Sequence, residues 1–163
     1  MINKIKENIF QLHFKNFGSC VYLIKTDKLI LIDTSSKAAR GELLNDLEEL
    51  DIPPEKIDAV ILTHNHYDHI ENLNLFKNAK IYKPETTKTI KELPEMKVIA
   101  APGHTKYDKC FLYKDILFSG DIIFDKGYFG RTDFPESNEE QMQRSLEKIK
   151  KIKYRILCPG HLV

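Results

Sequence analysis

The stretch His64-Asn65-His66-Tyr67-Asp68-His69 places three of the chain's six histidines and an aspartate in consecutive company. It directly follows the apolar run Ala59-Val60-Ile61-Leu62. Along a strand, residues 64, 66 and 68 would share one side while 69 faced the other; along a helix only positions three or four apart would meet. A tight loop can turn all four inward, around a pair of metal ions. Imidazole with carboxylate suits zinc, iron or manganese, and the lack of cysteine in the stretch excludes a thiolate-rich structural zinc site. His104 in APGHT, Asp121 in FSGDI and His161 in LCPGH repeat the placement. Each follows an apolar run and adjoins a glycine, where backbone can bend tightly and bring a side chain to a rim. A lone histidine is usually a surface or hydrogen-bonded residue. Burying several such groups without a cation is costly, whereas coordination satisfies them together.

The elements that must position these residues can be read from apolar spacing. The opening segment alternates at Ile5, Ile9, Phe10, Leu12 and Phe14, and CVYLI (20–24) and LILID (29–33) follow across a short polar turn. β-Branched and aromatic residues make these strands. Thr34-Ser35-Ser36 offers caps for a helix over 37–49 with Leu43, Leu44, Leu47 and Leu50 as its stripe, closed by Pro53-Pro54. IDAVIL (57–62) is strand-length, so the histidine stretch lies beyond its C-terminal end, where ligands gather in open α/β sheets. A helix near 70–76, a strand at 80–82 and a helix over 85–92 are expected next. Strands then fall at KVIAAPGHT, CFLY and DILFSGD. A glycine-containing loop runs through 134, a helix covers 138–152, and RILCP (155–159) is the last strand. In that helix Ser137-x-x-Glu140 reads as a capping box, with Met142, Leu146, Ile149 and Ile152 as the buried stripe. Arg144, Lys148, Lys150, Lys151 and Lys153 read as its solvated face, suited to a helix C-terminus. Cys20-Val-Tyr-Leu, a turn and Leu31-Ile32-Asp33 are echoed by Cys110-Phe-Leu-Tyr, a turn and Phe118-Ser119-Gly120-Asp121. The echo suggests two similar β-rich halves with helices outside.

At 163 residues the chain has room for one domain with a real core. With 25 basic and 24 acidic residues, net charge is +1, which removes any bulk attraction to nucleic acid or anionic membrane. No apolar run reaches the length of a membrane span or resembles a signal peptide, so a cytoplasmic location is expected. Three cysteines without a CxxC pair read as reduced, buried hydrophobes.

The order His64-x-His66-x-Asp68-His69, then His104, Asp121 and His161, resembles the complete ligand signature of the metallo-β-lactamase superfamily over almost the whole chain. The resemblance implies fold class α/β (α+β), as an αβ/βα four-layer sandwich. One compact domain over 1–163 is expected. The resemblance assigns His64, His66 and His104 to a first metal, Asp68, His69 and His161 to a second, and Asp121 as the bridge. Two divalent ions are implied, zinc foremost, with iron or manganese as alternatives. The segment Gly130-Arg131-Thr132-Asp133-Phe134 resembles a loop of glyoxalase II-like hydrolases and the related persulfide dioxygenases. Glyoxalase II enzymes carry a C-terminal helical domain, and in departing from them the domain here is expected to lack a C-terminal extension. The function implied is hydrolysis of a small thioester or ester by metal-activated hydroxide, with Asp68 and Asp121 as the catalytic carboxylates. Asp33 resembles a position that buttresses ligating histidines, though a strand-end turn is the other reading. Arg131 and Asp133 are expected to pair and brace their loop, with direct substrate contact as the other reading; Tyr67 could reach substrate or pack, and packing is expected. A mononuclear iron persulfide dioxygenase, a dinuclear phosphodiesterase or nuclease and a non-catalytic metal-stabilised module remain alternatives. A homodimer could complete the pocket.

Overall fold

The computed structural model describes residues 1–162. Its chain divides into two compact units, Met1–Tyr82 and a second from Lys83 onward.

The first unit is a six-stranded sheet in the order β1-β2-β3-β4-β5-β6. The strands are β1 (Ile2–Lys6), β2 (Ile9–Leu12), β3 (Val21–Lys25), β4 (Leu29–Ile32), β5 (Ala59–Ile61) and β6 (Lys80–Tyr82). β1 through β4 run antiparallel, and β5 and β6 join in parallel. Composition follows position. The three residues of β5 are all buried, as a central parallel strand requires, while the edge strand β1 is lysine-rich and bulged between Lys4 and Lys6. Between β4 and β5 lie a 3-10 turn (Lys37–Ala39) and helix α1 (Arg40–Glu49). α1 buries Leu43 and Leu47 in a core with Leu12, Val21, Leu23, Leu31, Val60 and Phe76. The expected caps at 34–36 do not cap α1. Ser36 precedes the turn without a side-chain cap bond, and its hydroxyl donates to the Phe17 carbonyl instead. After β5 come α2 (Tyr67–Ile70) and a 3-10 turn (Leu73–Leu75), earlier and shorter than the helix read over 70–76.

The second unit repeats the plan with a four-stranded sheet in the order β10-β9-β8-β7. Its strands are β7 (Lys97–Ala100), β8 (Lys109–Tyr113), β9 (Ile116–Gly120) and β10 (Ile156–Pro159). β7, β8 and β9 are antiparallel, and β10 adds in parallel to β9 after helix α3 (Glu139–Lys150). Met142 and Ile149 of α3 pack with Ile99, Cys110, Leu117 and Ile122. Cys110 is fully buried, its Sγ is 3.4 Å from the Ser119 carbonyl, and burial pushes its thiol well above the ordinary range. Two expectations fail in this unit. Residues 85–92 form turns rather than a helix, with Thr87 Oγ1 donating to the Lys83 carbonyl at 2.6 Å. The α3 cap is Asn138, whose side chain accepts from the Gln141 N–H at 2.8 Å, while Ser137 Oγ donates to the His104 carbonyl at 2.6 Å. No helix among the described residues is long and apolar enough to cross a membrane.

Candidate metal centre

In the first unit, four of the sequence-predicted donors leave the C-terminal end of β5 together. His66 has extended backbone and starts α2, so the chain reverses within a few residues and folds His69 back toward His64. The His64 and His69 rings lie 4.1 Å apart by centroid, and His64 and His66 4.7 Å apart in an edge-on arrangement. His64, Asp68 and His69 are buried.

Asp33 organises this group. It follows β4, its own N–H continues the β4–β5 pairing by donating to the Ile61 carbonyl at 2.9 Å, and its φ of 60° turns the chain. One carboxylate oxygen accepts the Thr63 N–H at 2.8 Å. The other accepts the Thr63 hydroxyl and His69 Nδ1, each at 2.7 Å. A carboxylate can only accept, so His69 carries its proton on Nδ1 and keeps Nε2 as a lone pair. The Thr63 hydroxyl spends its single proton on Asp33 and therefore accepts from His64 Nδ1 at 3.0 Å, which fixes the same tautomer there. One aspartate thus fixes the tautomer and orientation of two imidazoles and leaves Nε2 as the atom through which either could hold a metal. Asn72 supports the same turn, donating to the carbonyls of Thr34 and Ser36 at 2.8 and 2.7 Å.

In the second unit His104, Asp121 and His161 come together. Asp121 follows β9, behind Gly120 whose φ of 52° makes the turn. Its Oδ2 lies 3.5 Å from Nε2 of His104 and 3.5 Å from Nε2 of His161. His104 is buried and donates from Nδ1 to the Arg131 carbonyl at 2.8 Å, leaving Nε2 directed at the carboxylate. Two electron-pair donors facing one another call for a cation between them, a proton or a metal ion. The donor set fits a divalent metal, with two imidazole nitrogens, a carboxylate and no thiolate. Around His104 the backbone leaves no slack. A Cβ at Gly130 would overlap the Asp121 carbonyl and lie 3.1 Å from His104 Nδ1. The Asp108 carboxylate closes the turn after His104 by accepting the Thr105 N–H and hydroxyl, both at 2.6 Å.

The loop-bracing pair expected from sequence is present. Arg131 Nε and an Arg131 terminal nitrogen bond the two Asp133 oxygens at 2.9 and 2.7 Å, which raises the pKa of Arg131 and lowers that of Asp133. Both groups are exposed, so the pair shapes the loop more than it stabilises the protein. The Arg131 guanidinium lies 4.8 Å over the Phe134 ring, and Phe134 meets His104 edge-on at 5.6 Å. Tyr67 departs from expectation: it is 59% exposed, not packed. Thr63 and Ser137 were missed as site residues. A threonine between an apolar run and His64 was the available signal for the first; the second was masked by its resemblance to a helix cap.

The sequence profile of the metallo-β-lactamase superfamily matches residues 14–98 and 91–161. A probable metallo-hydrolase of Methanocaldococcus jannaschii is 36% identical over 144 residues, 81% of this chain and 70% of that protein. A hydroxyacylglutathione hydrolase of Enterobacter sp. is 31% identical over 153 residues, covering 83% of this chain but 57% of that enzyme. Among solved structures, a protein crystallised in a di-iron-bound form superposes with a TM-score of 0.74 at 20% identity, over 91% of each chain. With the profile spanning most of its length and its α/β fold shared with these structures, the chain belongs to the metallo-β-lactamase superfamily.

Proposed function

We propose that this protein hydrolyses a small thioester or ester, using two divalent ions, zinc foremost, held by His64, His66, Asp68, His69, His104, Asp121 and His161. The observation that carries the reading is the Asp121 carboxylate set 3.5 Å from the Nε2 atoms of two histidines. The Asp33-fixed imidazoles of the first unit add to it. Superfamily membership supports a metal-dependent hydrolase in general. The thioester reading draws on the likeness to a hydroxyacylglutathione hydrolase and on the Gly-Arg-Thr-Asp-Phe loop. The chain matches 57% of that enzyme, so its substrate is not carried over whole. Cys20, Cys110 and Cys158 are buried and not joined in disulfides, which suits a reducing, cytoplasmic setting.

Bound divalent ions would polarise the acyl oxygen and make water acidic enough to attack at neutral pH. The protein's own groups do the rest. Asp33 and the Arg131 carbonyl keep imidazole protons on Nδ1, so the coordinating nitrogens need no deprotonation. In the reaction, water adds its oxygen to the acyl carbon and passes one proton to Asp68. The C–S or C–O bond then breaks, and the proton leaves with the thiol or alcohol. A thiol leaving group has a pKa near the working pH and needs no strong acid.

Metal quantification on protein purified without added metal, followed by assays on thioesters, lactones and phosphodiesters, tests the proposal. Two equivalents of metal with thioester or ester turnover are expected. Oxygen uptake with glutathione persulfide in an iron-loaded protein, or turnover of phosphodiesters alone, would replace it.

A further inference from the structure

Helix α2 carries two of the proposed ligands, Asp68 and His69, on a single turn, Tyr67–Ile70. So short a helix has no stability of its own, and its last carbonyls find no partner inside it. The Tyr67 carbonyl accepts the Glu71 N–H at 3.1 Å. The carbonyls of the two ligands are met from elsewhere in the first unit. The Ser19 N–H donates to that of Asp68 at 3.0 Å, and the Thr34 N–H to that of His69 at 2.7 Å. The Thr34 hydroxyl donates to the same His69 oxygen at 3.0 Å.

Thr34 is fully buried, between Asp33 and Ser35, whose φ angles of 60° and 62° are left-handed. Residues other than glycine hold that conformation where the surroundings over-determine it. Here Asn72 donates to the carbonyls on either side of Ser35, and Arg40 Nε in turn donates to Asn72 Oδ1 at 2.9 Å. His69 is therefore gripped at both ends by consecutive residues, its ring by Asp33 and its carbonyl by Thr34.

We infer that Thr34 is a positioning residue for the metal site, its N–H and hydroxyl on the His69 carbonyl setting the rotation of α2 and so the aim of Asp68 and of His69 Nε2. This rests on the metal reading above. Asp33 alone does not achieve it. A bond at Nδ1 holds the imidazole at one point, about which the backbone can pivot. A second fixed point at the carbonyl removes that freedom, and the Ser19 bond to the neighbouring carbonyl supplies a third.

The test reads zinc and cobalt(II) affinity of the whole chain by competition with a chelator, together with the visible spectrum of the cobalt(II) form. Thr34→Val keeps the shape and the N–H but loses the hydroxyl. It should weaken binding of one metal equivalent by about tenfold and alter the cobalt spectrum. Thr34→Ser restores the hydroxyl and should recover both. Thr87→Val removes a buried hydroxyl–carbonyl bond outside the proposed donors and should leave both native. Thr34→Ala takes the place of Thr34→Val if that protein does not fold. Native affinity and spectrum in the folded hydroxyl-free variant, or an equal loss in Thr34→Ser, would overturn the inference. If the native chain binds neither metal, the metal reading falls and the metal-free proteins decide the rest by NMR. The His69 Nδ1 proton should then exchange with water faster in Thr34→Val than in the native or Thr34→Ser protein, and equal exchange would remove the role assigned to Thr34.

Discussion

Asp33 and Asp121 stand at equivalent places in two units built on one plan. In each unit an antiparallel hairpin, β3–β4 or β8–β9, is followed by a helix and a strand parallel to the second hairpin strand. An aspartate follows the hairpin in both, and a histidine lies beyond the parallel strand, His64 in one and His161 in the other. The surroundings then diverge. Asp33 is 2% exposed and its oxygens are taken by Thr63 and His69, so it acts through the histidines it orients. Asp121 turns one oxygen to two imidazole nitrogens at 3.5 Å and is itself offered for coordination. A strand end supplies the carboxylate; neighbouring donors decide whether it positions ligands or becomes one.

That contrast can be broken in graded steps. Asp121→Ala removes the offered oxygen and should lower kcat/KM by about 10³-fold, the equivalent of roughly 4 kcal/mol. Loss of metal stoichiometry should accompany it, while a loss comparable to that of Asp33→Asn would erase the distinction. Asp33→Asn keeps the shape but puts a donor where an acceptor is needed. It should weaken metal affinity by about 10–100-fold, read by competition with a chelator. The smallest effect belongs to Glu42. Hydrogen bonds from the Lys15 and then the Asn16 backbone lower its pKa below the ordinary 4.5. A carboxyl lowered in the folded state contributes stability fully present above its unfolded pKa and lost as pH falls through the folded one. Amide exchange at residues 15 and 16 should therefore stay protected at neutral pH, with protection fading only in acid below the usual carboxylate range. Glu42→Gln should reduce that protection at neutral pH and leave it unchanged in acid, where the native side chain is also neutral.

The candidate donors stood out in the sequence because imidazole and carboxylate side chains cluster at the ends of apolar runs, beside glycine turns in the second unit. Strand positions were legible for the same reason. What escaped was where local polar bonds compete with pattern. The segment from 85 on carries a helix-like spacing of three at Ile90, Leu93 and Met96, and all three are buried. They are plugs in a turn-rich segment, flanked by Pro84 and Pro94, in which Thr87 bonds backward to backbone. Ser137 matched a capping box, yet its hydroxyl serves the His104 carbonyl and the cap falls to Asn138. One residue of register separates those roles, and composition does not resolve it. Tyr67 was read as packing because aromatic residues usually are; its exposure depends on how sharply the chain reverses at His66.

Under the proposed thioester chemistry, which would release thiols, Cys110 bears on durability. Disulfides formed from such products attack proteins through thiolates, and this sulfur is both shielded and held protonated by its surroundings. Mixed-disulfide poisoning at this position must wait for the second unit to open. The rate at which a thiol-reactive dye modifies Cys110 is then a clock for that opening.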